Sequence, residues 1–227
     1  MAVILRTEHL NKVYRLGGLL TGKPVRALDD VSISVESDHP VIIAVVGESG
    51  SGKTTLAKTL LRLVEPTSGT ALVYGEVVAG RGARPSRRAF LQSIQPIFQN
   101  PFEAFSRYRP IDAYLHETAE RVAGLGGSAV AAAVAQALTS VGLDYADVRG
   151  KYSNQFSGGE LQRLSVARAL IPRPNLIVAD EPVSMIDASR RMIIINLFKK
   201  LRDEAGQSFL YITHDLATAY YISDYVV

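Results

Sequence analysis

The stretch PVIIAVVGESGSGKTTL, at 40–56, constrains the fold more than any other part of this chain. Its first half is a continuous, largely β-branched run, the pattern of a strand buried on both faces of a parallel sheet. Behind that strand come three glycines, two serines, two threonines and one lysine. The next segment, KTTLAKTLLRLV at 53–64, spaces its apolar residues by three and four, which predicts a helix. A buried strand that turns on glycines and opens a helix commits the chain to an α/β layout, with the turn at the strand's carboxyl end.

Gly47, Gly52, Lys53 and Thr54 satisfy the pattern G-x-x-x-x-G-K-[ST]. Chance places that pattern in about one chain in a hundred of this length, and its position between strand and helix lowers the odds further. Without side chains, successive backbone N–H groups can turn inward and form a nest for phosphate oxygens; some positions there need positive φ. The helix that follows adds partial positive charge at its N-terminus. Lys53 offers a mobile charge to the β- and γ-phosphates, Thr54 a hydroxyl to Mg²⁺, and Thr55 a hydroxyl within reach of the α-phosphate. Gly47, Glu48, Ser49, Gly50, Ser51 and Gly52 are thus a candidate cradle for ATP. A plain glycine turn leaves Lys53 and Thr54 without a purpose.

Other segments extend the α/β reading. VILRTEHL (3–10) and DDVSISVE (29–36), joined through GGLLTGKP (17–24), predict a small antiparallel sheet, and EPTSGTALVYGEVV (65–78) adds short strands. RGARPSRR (81–88) reads as a solvated loop, IQPIF (94–98) as a strand, and the alanine-rich 101–143 as a helical insertion broken at GLGG. SGGELQRLSVARAL (157–170) starts a helix. NLIVAD (175–180) and SFLYITHD (208–215) are buried strands, separated by a long amphipathic helix at 188–206; LATAYYIS (216–223) is a short helix. Asp180 ends its strand where α/β ligands bind, which suits a metal-shell carboxylate, and Glu181 follows, placed to polarise an attacking water.

Composition removes several classes. With no cysteine there are no disulfides and no thiolate metal sites, in keeping with a reducing compartment. No stretch reaches the roughly 18 apolar residues that span a bilayer, and the N-terminus lacks a secretory pattern, so any membrane role is expected to be peripheral. The net charge of +3 comes from scattered Lys and Arg, and no nucleic-acid partner is expected.

FSGGELQR (156–163) resembles the LSGGQ signature of the ATP-binding cassette (ABC) ATPases, and it precedes LIVADEP by about that family's spacing. Gln99 in IFQNP matches the Q-loop, SMID (184–187) the D-loop, His214 in YITHD the switch histidine, and Tyr14 in NKVYRLG the aromatic that stacks on adenine. The resemblance covers nearly the whole chain. It implies an α/β P-loop NTPase core with a mostly parallel sheet, an N-terminal antiparallel β subdomain and a helical subdomain insertion. In domain terms, 1–227 is one ABC ATPase domain, with 1–100 and 171–227 as core and antiparallel subdomain and 101–170 as the helical, signature-bearing part. It further implies an Mg²⁺-dependent ATPase. Glu181 would be the base, His214 the γ-phosphate sensor and Lys53 a catalytic charge. Gln99 would touch metal or water, and Thr54, Gln99 and Asp180 would form the metal shell. Ser157, Gly158, Gly159 and Glu160 would cap the ATP of a second cassette subunit, in a head-to-tail dimer that forms with ATP.

The pattern departs from the family at Phe156, Glu160 and Met185-Ile186, where leucine, glutamine and alanine-leucine are usual. His9, His39 and His116 match no motif and are read as structural. IFQNPFEAF, ADEPVSMID and YITHDLATAYYISDYVV resemble the ATPases of oligopeptide and dipeptide importers; related subunits serve nickel and oligosaccharide importers. The implied partners are transmembrane permease subunits, with an extracytoplasmic substrate-binding protein acting through them. The implied place is the cytoplasmic face of the cell membrane. The family continues past ISDYVV, so the C-terminal part of its domain is expected to be missing. Alternatives are an exporter ATPase, an ATP-binding scaffold like that of phosphonate breakdown, and a nucleic-acid- or ribosome-associated ATPase. Against the last, the stretch from Lys53 to Ser157 carries neither heptads nor cysteines.

Overall fold

The computed structural model describes residues 2–16 and 23–227. β1 (Ala2–Leu16) and β2 (Lys23–Ser37) are paired antiparallel along their whole length. Both run well beyond the segments that alternation predicts, because bulges interrupt the register, and His9 (φ 47°) and Asp30 (φ 51°) take left-handed backbone at one of them. Of the predicted glycine-rich connection at 17–24, residues 17–22 lie outside the described residues, and Lys23 and Pro24 already belong to β2. β3 (Ile42–Val46) is the expected buried strand, and α1 (Lys53–Leu60) follows the glycine loop. β4 (Ser68–Val73) and β5 (Glu76–Gly80) complete an antiparallel sheet of order β2-β1-β4-β5.

α1 stops short of the predicted Val64. Arg62 turns left-handed (φ 56°), stacks on Phe90 at 4.1 Å and donates to the carbonyls of Val77, Val78 and Pro85. These three acceptors, supplied by β5 and the loop after it, outcompete one more helical turn. The arginine-rich 81–88 is exposed as expected, but a helix not read from the sequence, α2 (Arg87–Ser93), begins within it under a Ser86 cap.

β6 (Ile94–Ile97) leads to a short 3₁₀ turn at Pro101–Ala104 and then to α3 (Ile111–Glu117), which continues as a π turn. After a break at 124–127 come α4 (Ser128–Ser140), α5 (Tyr145–Val148) and α6 (Gly158–Leu170). β7 (Leu176–Asp180), α7 (Ala188–Ala205), β8 (Ser208–Thr213), α8 (Leu216–Ile222) and β9 (Tyr225–Val226) complete a parallel sheet of order β6-β7-β8-β3-β9. The sequence reading places no strand at β9, whose two exposed residues carry no pattern.

The parallel strands divide their residues between two cores. Ile43 and Val45, Leu176 and Val178, and Leu210 and Ile212 pack with α1 and the antiparallel sheet. Ile42 and Ala44, Ile177 and Ala179, and Phe209 and Tyr211 pack with the helices on the other face. Apolar side chains on both faces of the pleat are why these strands read as unbroken hydrophobic runs. Among the described residues no helix is long and apolar enough to cross a membrane.

Candidate functional site

The loop after β3 wraps its own lysine. Lys53 is almost buried, and its Nζ donates to the carbonyls of Gly47 (2.8 Å) and Glu48 (2.6 Å) and to Ser51 Oγ (3.3 Å). Gly52, the N-cap of α1, has φ 98°, and a Cβ there would lie 2.1 Å from the Ala27 carbonyl oxygen on β2. Only glycine fits both the conformation and the contact. α1 has no side-chain cap and no acidic residue in its first turn, so its leading N–H groups meet no side chain of their own helix. Glu48, Ser49, Gly50 and Ser51 are exposed beside this tip.

Three neighbouring strands deliver the remaining groups at their carboxyl ends. Thr54 Oγ1 donates to Asp180 Oδ1 at 3.3 Å, joining the start of α1 to the end of β7. Burial pushes the Asp180 carboxyl above the usual carboxylate range and the Glu181 charge adds to this, while the Thr54 hydroxyl, Lys58 and Lys53 pull the other way. Glu181 is held at both carboxylate oxygens: Gln99 Nε2 donates to Oε2 at 3.1 Å, and His214 Nδ1 lies 3.1 Å from Oε1. Its backbone is fixed too, with the N–H donating to the Ile212 carbonyl at 2.9 Å and φ at 44°. A left-handed glutamate carries about 1–3 kcal/mol of strain, which the neighbouring strand must hold in place. Gln99, Asp180, Glu181 and His214, distant in sequence, thus meet beside the loop 47–55.

Tyr14 lies near the end of β1, half-buried, opposite Val25 of β2, with Lys12 Nζ 5.0 Å from its ring centroid. Two residues on from Val25, Ala27 is the residue that touches Gly52. Ser157 caps α6 in a box with Glu160, and Gly158 and Gly159 form its first turn. Among the described residues no hydrogen bond joins Ser157–Glu160 to the loop 47–55. This second group stands apart, on its own helix tip.

His9 pairs with Asp30 at 2.7 Å on the β1–β2 bulge, and His116 packs against Tyr145, both away from this cluster. Sequence reasoning missed the carbonyls of Ala27 and Ile212 and the Ser184 hydroxyl, which donates to the Glu181 carbonyl at 3.0 Å. Backbone acceptors are the same in every residue type and leave no mark in a sequence.

A family model described as ABC transporter matches residues 28–184. A protein of Brucella ovis, named as a candidate peptide import ATP-binding protein, is 41% identical over 204 residues, covering 89% of this chain and 63% of the relative. The oligopeptide transport ATP-binding protein OppD of Mycobacterium tuberculosis is 36% identical over 229 residues, covering 99% of this chain and 37% of that protein. This chain therefore spans less than two thirds of the length of these relatives. Among solved structures, the ATP-binding cassette MJ0796, a dimer in a post-hydrolysis state bound to ADP and Pi, superposes with TM-score 0.79 at 24% identity, over 99% of this chain and 96% of that one. CbiO1 of Clostridium perfringens, part of the ABC transporter complex cbiONQ, gives TM-score 0.79 at 23% identity, over 100% of this chain and 84% of that one. At such identities the likeness is one of fold.

Proposed function

Because the chain belongs to the ABC transporter family, we propose that it is the ATP-binding and ATP-hydrolysing subunit of an importer for peptides or a related small solute. The observation that carries the reading is Glu181, suspended between Gln99 and His214 beside an uncapped helix tip and a lysine folded into a glycine loop. In this reading the triphosphate lies in the loop 47–52, and Lys53 exchanges its two carbonyl contacts for the β- and γ-phosphates. Thr55 reaches the α-phosphate, and Tyr14 carries the adenine. Glu181 accepts a proton from the attacking water, with Gln99 and His214 fixing its two oxygens so that its remaining lone pairs face the water. His214 contacts the γ-phosphate.

The residues present fit Mg²⁺. A hydroxyl and a carboxylate oxygen, Thr54 Oγ1 and Asp180 Oδ1, stand 3.3 Å apart at the tip, and the Gln99 amide is one carboxylate away. These are hard oxygen donors, and a buried carboxylate disfavoured as an anion gains from a cation beside it. Such an ion, held by Thr54, Asp180 and Gln99 together with the phosphates, would neutralise charge on the β- and γ-oxygens.

A second cassette presents the Ser157 hydroxyl and the N–H groups of Gly158 and Gly159 to the terminal phosphate, with Glu160 set behind Ser157, so that ATP joins two subunits. The dimeric state of MJ0796 supports this arrangement. The helical insertion at 101–143 faces transmembrane permease subunits, which bring a substrate-binding protein with them, and the chain works peripherally at the cytoplasmic membrane face. The peptide cargo is supported by the names of the Brucella and Mycobacterium relatives. The test is Glu181→Gln. The variant is expected to bind ATP, lose turnover by at least about a hundredfold, and accumulate as an ATP-dependent dimer in sizing experiments. Normal hydrolysis by this variant removes Glu181 from the role of base.

A further inference from the structure

The tip of α6 is already filled by the chain's own carboxylate. Glu160 Oε2 accepts the Ser157 N–H at 2.8 Å and the Ser157 hydroxyl at 2.7 Å, while Ser157 Oγ takes a long 3.4 Å bond from the Glu160 N–H. A serine hydroxyl has one proton. With that proton donated in a hydrogen bond to the Glu160 carboxylate, Ser157 has only lone pairs for anything that approaches, and lone pairs repel a phosphate oxygen. The carboxylate also puts a negative charge within hydrogen-bond distance of the place where a phosphate would be received.

Beside this contact lies a cleft of about 320 Å³ between α6 and α7, lined by Ser157, Gly159, Glu160, Arg163, Arg190, Ile193 and Ile194. Arg190 reaches across it, and a Cβ on Gly159 would lie 3.6 Å from its Cδ. Among the described residues no hydrogen bond or ion pair engages the Arg190 guanidinium. Arg163 donates through Nη1 to the carbonyls of Val141 and Gly142. The Ser157 hydrogen bonds hold the Glu160 carboxyl below the usual carboxylate range, and the fields of Arg163 and Arg190 lower it further, so it is a charged group with cations close by.

We propose that Glu160 is a positioning residue that holds Ser157 turned inward in the lone chain, and that it swings toward Arg190 in the α6–α7 cleft when a second copy brings its nucleotide, freeing the Ser157 hydroxyl to donate. The pair Glu160–Arg190 then sets how much ATP is needed to join two copies. This rests on the reading that Ser157 faces the nucleotide of a second copy.

The experiment uses the full chain in the Glu181→Gln background. For each variant it measures the ATP concentration for half-maximal dimer, by light scattering, relative to that for half-maximal binding of a fluorescent ATP analogue to the monomer. Glu160→Gln keeps the shape and removes the charge. Its ratio is expected to fall roughly three- to tenfold. Arg190→Ala removes the acceptor of the displaced carboxylate. Its ratio is expected to rise by a similar factor with Glu160 present and to stay level when combined with Glu160→Gln, a coupling that a purely structural role for either residue does not produce. An unchanged or raised ratio in Glu160→Gln, or additive effects in the double variant, overturns the proposal. Ser157→Ala separates the underlying reading: if it dimerises with ATP as readily as the background protein, Ser157 does not face the partner's nucleotide, whatever Glu160 does.

Discussion

α1 and α6 both begin with small residues at an edge of the molecule that can receive an anion, but the two tips are prepared in opposite ways. At α1 the cap is Gly52, the first turn has no acid, and the nearest side chain is a lysine folded back on the loop's carbonyls. At α6 the cap is Ser157, and Glu160 satisfies both its N–H and its hydroxyl. The first tip leaves its donors bare and lets the fold bear the cost. The second satisfies the donors of its cap locally, the Ser157 N–H and hydroxyl both pointing to Glu160. An open tip suits a ligand that the chain holds by itself. A self-closed tip suits one that arrives already bound elsewhere and has to displace something.

The largest expected effect comes from closing the open tip. Gly52→Ala puts a methyl group 2.1 Å from the Ala27 carbonyl oxygen at φ 98°. Strain and overpacking together should cost about 3 kcal/mol in denaturant unfolding and abolish nucleotide binding. A variant as stable as the parent would mean that the loop is not braced by β2. Less is expected from opening the closed tip. Ser157→Ala removes the cap and should cost about 1 kcal/mol, visible as a shift in urea midpoint at constant slope. No loss there would deny that the serine box stabilises α6 at all, and the comparison would fail on that side.

The smallest effect concerns the acid beside the open tip. The Asp180 carboxyl has a folded pKa above its unfolded value, chiefly through burial. The proton is therefore bound more tightly in the fold, and Asp180 favours folding below its unfolded pKa; that contribution is lost as pH rises through the folded pKa. Without nucleotide, Asp180→Asn should be more stable than the parent at neutral pH by less than about 1 kcal/mol, since water still reaches the carboxylate. The gap should close on acidification through the carboxylate range. Thermal melts across pH test this, and a variant less stable at neutral pH reverses the assignment of burial as the dominant influence.

The open tip could be read from residues alone because its requirements are local. A buried strand, glycines that need positive φ, and a lysine at fixed spacing occupy one continuous stretch. β3, β7 and β8, the central parallel strands, were legible for a similar reason, since two cores demand apolar residues at nearly every position, whereas the exposed two-residue β9 was not. What was not legible depends on distant partners. Glu181 takes its left-handed backbone because the Ile212 carbonyl holds its N–H, and nothing near it in sequence announces that. α1 ends at Leu60 because Arg62 finds acceptors on another strand. The capping box is written in S-x-x-E at 157–160, but that the Glu160 carboxylate takes the Ser157 hydroxyl as well as its N–H is a matter of rotamers and leaves no mark in the sequence.

The contact between Gly52 and the Ala27 carbonyl has a geometric consequence. Tyr14 lies across from Val25 on the strand that makes this contact, so the ring and the loop 47–52 are joined by touching backbone rather than by a pliable tether. In the proposed reading, the interval between them works as a ruler built into the scaffold, and it gauges the nucleotide by length before any single hydrogen bond inspects its chemistry.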